Sequence, residues 1–381
     1  MRSFVFTNEA LTRQAGRFVW LSINTETEQG AAFKAKFPIN AIPTLFILDP
    51  ASGEPALRWV GAATVSELEK LLDDGERAVR SAANGSEVAL RKADRLYGEG
   101  KYAEAAGAYK LALDSAPTGW AATGRATASL AWALSSSDEY QRCAELARDS
   151  YPKLGRSAPA ANVAATGLDC ALSLPLEAPG RKELVAELEG FCRAVLADKD
   201  LPIAADDRAG IYSSLVDARE DAGDKDGMMQ TAQAWAAFLE IQAAAAATPE
   251  QRAVFDAFRL TAYLTLELPE KAVPMLQASE RDLPDDYNPP ARLALAYKAM
   301  SRYDDAIAAS TRALAKVYGP RKIRVLLNLA DIYSAKGDAP AARKILEESL
   351  QIAESLPAGQ RSEGMIAMLK KKLESPAPPN P

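Results

Sequence analysis

The 381-residue sequence contains no histidine. That removes the usual general base at neutral pH, and with it Ser-His and Cys-His nucleophile pairs and imidazole metal sites. Cysteine is scarce: Cys143, Cys170 and Cys192 are the only three. None forms a CxxC, which excludes a zinc ribbon or a dithiol redox site built from these residues. They read as small buried hydrophobes in helices, a disulfide between two of them being the alternative. Long apolar runs are also missing. A membrane-spanning helix needs about 20 apolar residues, and the greasiest stretch, "AWAAFLEIQAAAAATP", is interrupted by Glu240 and Gln242. The opening "MRSFVFTNEALTRQ" lacks the apolar core of a secretory signal. Positive charge is in deficit, with a net charge of −6 and a pI of about 5.2. A nucleic-acid partner is not expected, because phosphate neutralisation needs a surplus of Lys and Arg on one face.

What is present falls into two textures. The first 75 or so residues alternate short helical and strand-like segments. Residues 8–14 read as helix, 17–23 ("RFVWLSI") as strand, 27–37 as helix, 44–48 as strand, 57–60 as strand and 65–73 as helix. "DPASGEP" is a turn between the second and third strands, and Gly61 ends the third. From Glu87 onward the apolar residues recur at three and four, with short Gly- or Pro-bearing breaks. Three units align by eye: 90–117, 291–320 and 325–353. Each pairs an Ala/Leu-faced helix with a turn at Gly100-Lys101, Ser301-Arg302 or Gly337-Asp338. A small residue, Ala105, Ala306 or Ala342, then opens a second helix, where it lets two helices approach closely.

"YGEGKYAEAAGAYKLALDSAP", "LALAYKAMSRYDDAIAASTRAL" and residues 331–348 resemble the tetratricopeptide repeat family. Weaker units lie between them. The steps from Ala272 to Ala306 to Ala342, 34 and 36 residues, come nearest that family's 34-residue period. The resemblance implies about seven helical hairpins over residues 87–357, stacked as an all-α superhelical solenoid. The Pro-rich end, 374–381, is expected to be disordered.

The order of the first 78 residues resembles a thioredoxin-like α/β fold: "RFVWLSINTET", then Ile42-Pro43-Thr44 before a buried strand, then "RWVGAATVSELEKLL". The resemblance implies a cis peptide before Pro43. It also implies a peptide-docking edge at Ile42, Pro43 and Thr44. The family's central strand and CxxC have no counterpart here, so the expectation is a partial, redox-inactive domain. A native start upstream of Met1 follows as a further expectation. On it an alternative reading is a longer thiol-disulfide oxidoreductase with its CxxC upstream; the compartment is cytoplasmic as the sequence is written and periplasmic or secreted if a signal segment lies upstream of Met1.

The leading expectation is an interaction scaffold without a cofactor or turnover, binding a protein or peptide client. The shared domain order also resembles bacterial chaperedoxins, which implies a holdase chaperone as an alternative. Family members bind peptides on the concave face lined by the first helix of each hairpin. The positions here that match it are Arg91, Arg292, Lys298, Arg324 and Asn328. Spaced along a groove, they suit an acidic peptide. Asp206-Asp207 and Asp285-Asp286 lack the alternating ligand loop of a calcium site and read as solvated charges.

Overall fold

The structure is a computed structural model that describes residues 1, 3–39, 42–80 and 85–374. The C-terminal Pro-rich stretch from 375 lies outside the described residues. The chain divides into two compact units. One comprises Met1–Val19 and Phe37–Thr231, the other Trp20–Lys36 and Ala232–Pro381.

In the first unit a 3-10 turn over Glu9–Gln14 is capped by Asn8, whose side chain accepts from the Ala10 amide. Two strands follow, β1 (Thr44–Leu48) and β2 (Pro55–Val60), paired antiparallel with Thr44 opposite Val60 and Phe46 opposite Arg58. A register irregularity at Ile47/Leu48 lets the strands enter the Asp49 turn. The Ile42–Pro43 peptide is cis, and Pro43 accepts a hydrogen bond from the Gly61 amide at 3.0 Å. Alternation sets the faces of β2. Leu57 and Trp59 pack with Leu68, Leu71 and Leu72 of the helix Val65–Arg80, so Arg58 and Val60 look the other way. That helix starts in a capping box. Thr64 Oγ1 accepts from the Glu67 amide, and the Glu67 carboxylate accepts from the Thr64 amide at 2.8 Å.

The strand expected at residues 17–23 is not formed. Among the described residues the sheet has two strands only, and a half-buried strand needs a neighbouring edge to satisfy its backbone and cover its apolar face. Here Val19 is 88% and Leu21 76% exposed. The sequence pattern is that of a strand, but among the described residues no strand pairs with it, and the α/β fold expected for residues 1–78 reduces to this ribbon and its helix.

The rest is helical. In chain order, Glu28–Lys36 is α1 and Val65–Arg80 is α2. The helix pairs are α3 (Gly85–Gly98) and α4 (Tyr102–Asp114), α5 (Thr123–Ser136) and α6 (Tyr140–Leu154), then α7 (Ala158–Leu172) and α8 (Arg181–Ala197). They continue with α9 (Ala205–Asp221) and α10 (Lys225–Ala245), and, after the short α11 (Pro249–Ala253), α12 (Asp256–Thr265) and α13 (Ala272–Asp282). The last are α14 (Asn288–Ala299) and α15 (Tyr303–Leu314), α16 (Arg321–Lys336) and α17 (Ala339–Ser355), with α18 (Glu363–Glu374) at the end.

One turn chemistry recurs in six of these pairs. Gly100, Asp138, Gly223, Glu267, Ser301 and Gly337 all have positive φ. In each case the next amide reaches back five residues, as from Lys101 to Leu96 O, Arg302 to Tyr297 O and Asp338 to Tyr333 O. This is the Schellman closure, which satisfies a helix's last carbonyls and reverses the chain at once. The small residues that open the second helices are buried, Ala105 and Ala306 completely. Gly167 of α7 is closer still, since a Cβ there would lie 2.1 Å from Ala147 Cβ of α6. Beside this contact Cys143 and Cys170 are joined in a disulfide between α6 and α7. The main sequence reading of three unlinked buried thiols therefore holds only for Cys192, whose thiol burial pushes well above its usual range.

In the second unit the segment 20–36, with α1, is fastened to repeat loops. Gln360 donates to the carbonyls of Thr25 and Thr27 at 2.9 Å, and Glu26 meets Arg321 at 3.2 Å. Gly359 permits this, because a Cβ there would fall 2.0 Å from Ala31 O.

Candidate functional site: the faces of the first helices

In the first unit the face made by α3, α5, α7 and α9, the first helix of each pair, is occupied by the chain's own β2 and the loop after it. Arg58 is 2% exposed, and its guanidinium lies over the Tyr97 ring of α3 at 3.5 Å. Asp94 of α3, fully buried, gathers three donors. These are the Tyr109 hydroxyl (2.6 Å), Arg125 Nη1 from α5 (2.7 Å) and, weakly, the Arg58 amide (3.4 Å). Further along, Asp207 at the start of α9 lies near Ala62 in the loop after β2. Burial first, then Asp206 and Glu67, push that carboxyl up to about 7. On α7, burial pushes Asp169 up to about 6, opposed by its hydrogen bond to Ser214 and reinforced by Asp217.

The residues expected to line a binding face separate into two kinds. Arg91 is used internally: its Nη1 donates to Ala78 O at 2.6 Å and ties α3 to α2. Arg292 on α14 is half-buried and lies among Asp256, Asp286 and Tyr287; burial lowers its guanidinium, and those groups oppose the shift. Lys298 on α14 and Arg324 and Asn328 on α16 differ. Lys298 and Asn328 are partly exposed and Arg324 is exposed. Among the described residues, none of these three side chains has a hydrogen-bond or ion-pair partner. The helices that carry them are the first members of adjacent pairs and touch each other. The structure therefore brings Lys298, Arg324 and Asn328 to one pair of neighbouring helices, takes Arg91 into an internal hydrogen bond and half-buries Arg292 in the field of Asp256 and Asp286.

Ile42, at the mouth of β1, is 68% exposed, while Pro43 and Thr44 are half-buried. No cluster of three or more metal-ligating side chains occurs among the described residues, and no described helix is long and apolar enough to cross a membrane. The Arg58–Asp94–Arg125–Tyr109 cluster escaped sequence reasoning. Its one sequence signal is Arg58 itself, a charge between Leu57 and Trp59 that alternation turns away from their apolar face.

No curated protein shows significant sequence similarity to the chain. Among solved structures, it is similar to the anaphase-promoting-complex hetero-tetramer Cut9–Hcn1 at 14% identity and a TM-score of 0.38, over 82% of this chain and 55% of that one. This chain thus spans about half the length of that neighbour. It is similar to the TPR2AB domain of yeast Sti1 in complex with pHSP90 (15% identity, TM-score 0.29, 76% and 98% covered). It is also similar to YrrB, a TPR protein with an unusual peptide-binding site (14% identity, TM-score 0.28, 70% and 99% covered). Residues 287–355, the span of the α14–α15 and α16–α17 pairs, match the tetratricopeptide repeat family. With paired helices, buried small residues and Schellman turns in place, this part of the chain consists of tetratricopeptide repeats.

Proposed function

We propose that the chain is a protein-interaction scaffold, and that its tetratricopeptide repeats hold an extended acidic segment of a polypeptide partner. The observation that carries this reading is the set of unpaired donors on α14 and α16: Lys298, Arg324 and Asn328. Cations with no internal partner lose no contact on binding, so each charge-assisted hydrogen bond to a carboxylate counts toward affinity.

The test is fluorescence anisotropy with a labelled acidic peptide against the full chain and K298E/R324E. Hydrogen bonds to charged groups contribute about 1.5–3 kcal/mol each, so the double variant should bind at least about tenfold more weakly. Its thermal midpoint should be unchanged. Equal affinity in both proteins would remove the proposal.

We further infer that the β1–β2–α2 segment is a redox-inactive thioredoxin-like remnant, with Ile42, Pro43 and Thr44 as a secondary edge for an extended client. The strand–strand–helix order and the Gly61 break support this. In this reading the chain reduces no disulfide substrate. Suppression of aggregation of a model client, independent of reductant, would favour a holdase over a scaffold.

A further inference from the structure

Between β2 and the first helices α5 and α7 lies a cavity of about 10 Å³, lined in part by Arg58, Ser129, Trp132 and Asn162. That is room for one water-sized particle and not for a polyatomic anion. Its lining carries the Arg58 cation and the polar residues Ser129, Trp132 and Asn162, each able to donate a hydrogen bond, and no carboxylate. Arg58 is almost fully buried, and among the described residues its Nε and Nη2 have no hydrogen-bond partner; nor does Arg125 Nε.

The surrounding charge does not balance. Asp94 bonds the Arg125 guanidinium and the Tyr109 hydroxyl, and it reaches Arg58 only through that residue's backbone amide. Asp74 adds an attraction to Arg125 but is itself paired with Arg77 at 3.0 Å. Arg58 therefore keeps a positive charge inside the protein that Tyr97 stabilises from one face only. Burying an unpaired charge is costly, and proteins meet that cost with a counter-charge or hydrogen bonds at the site. A neutral water supplies the hydrogen bonds but leaves the charge.

We propose that this cavity is a monatomic-anion site of chloride size, in which the bound ion neutralises Arg58 and holds β2 against the first helices of the repeats. The inference is independent of partner binding at α14 and α16.

The experiment measures the thermal midpoint of the full chain in sodium chloride and in sodium gluconate at matched ionic strength. Crystals grown in bromide are examined for anomalous scattering. With an ion bound to the native state only, the midpoint should rise with chloride concentration along a one-site curve. It should stay flat in gluconate, and bromide should appear beside Arg58. Arg58→Gln should abolish the chloride dependence. Should that variant not fold, Asn162→Leu, which keeps the charge and removes one donor, should move the half-effect to higher chloride. Identical midpoints in the two salts, or density at the site without a bromide signal, would overturn the proposal in favour of a structural water.

Discussion

Replacing Asp94 by Asn tests the buried cluster most directly. The substitution keeps the size of the side chain and removes its charge. Asp94 is fully buried and accepts from Tyr109 at 2.6 Å and Arg125 at 2.7 Å, while the Arg58 amide at 3.4 Å adds little. Two hydrogen bonds to a charged acceptor, at about 1.5–3 kcal/mol each, are weakened. The Arg125 guanidinium then loses its bonded carboxylate, and breaking a buried ion pair from one side costs about 3–5 kcal/mol. We expect a loss of about 3–5 kcal/mol, because both estimates describe the same lost contacts and do not add. The assay is urea denaturation, with hydrogen exchange to assign the change to α3, α5 and β2. Since the chain has two units, their transitions are fitted separately. Removing Arg125 as well, in D94N/R125M, should recover part of the loss, a coupling of about 1–3 kcal/mol. If Asp94→Asn changes stability by less than about 0.5 kcal/mol, the level of an ordinary surface substitution, the cluster does not hold the sheet to the repeats.

Three further outcomes are expected. The Cys143–Cys170 bond closes a separation of 27 residues, so reducing it or making C143A/C170A should cost about 3.6 kcal/mol by loop entropy; three free thiols in the denatured, unreduced protein would refute this. Asp207 and Asp169, pushed up to about 7 and about 6 by burial, are protonated more readily folded than unfolded, where an Asp titrates near 3.9. Their burial penalty is absent below that value, grows as pH rises toward the folded pKa and is constant above it, so stability should fall from about pH 4 to about pH 6 for Asp169 and to about pH 7 for Asp207, at up to about 1.4 kcal/mol per pH unit for each group, and level off above. D207N should flatten its share of the slope, and an unaltered pH profile would contradict the assignment. Gly167→Ala would add about 1 kcal/mol to an open helix, yet its Cβ would lie 2.1 Å from Ala147 Cβ; the midpoint should drop by an overpacking cost of about 1–3 kcal/mol, and a rise would show that α6 and α7 can move apart.

The helical hairpins were legible because their physics is local. A stripe of Ala and Leu, a turn and a small residue in close contact repeat within some 30 residues, and the family match at 287–355 falls on two of the units that show them most clearly. The turns at Asp138 and Glu267 were harder to read, since these side chains adopt positive φ where glycine is the usual signal. Residues 17–23 misled because β-propensity describes a strand's own residues and not the neighbour it needs. Arg91 and Arg292 matched the binding-face pattern, but Arg91 bonds Ala78 O of another helix and Arg292 is half-buried in the field of Asp256.

The sequence by itself determined the paired helices of the repeats, their turns at Gly100, Ser301 and Gly337, and the absence of histidine chemistry, since all of these follow from composition and from neighbours a few residues away. Tertiary structure alone decided that Arg58 is buried against Tyr97, 39 residues further on, and that Cys143 meets Cys170. It also decided that Lys298, Arg324 and Asn328 are left with free donors. Whether a charge is spent inside the protein or kept for a partner depends on which distant groups the packing brings beside it, and no local pattern carries that information.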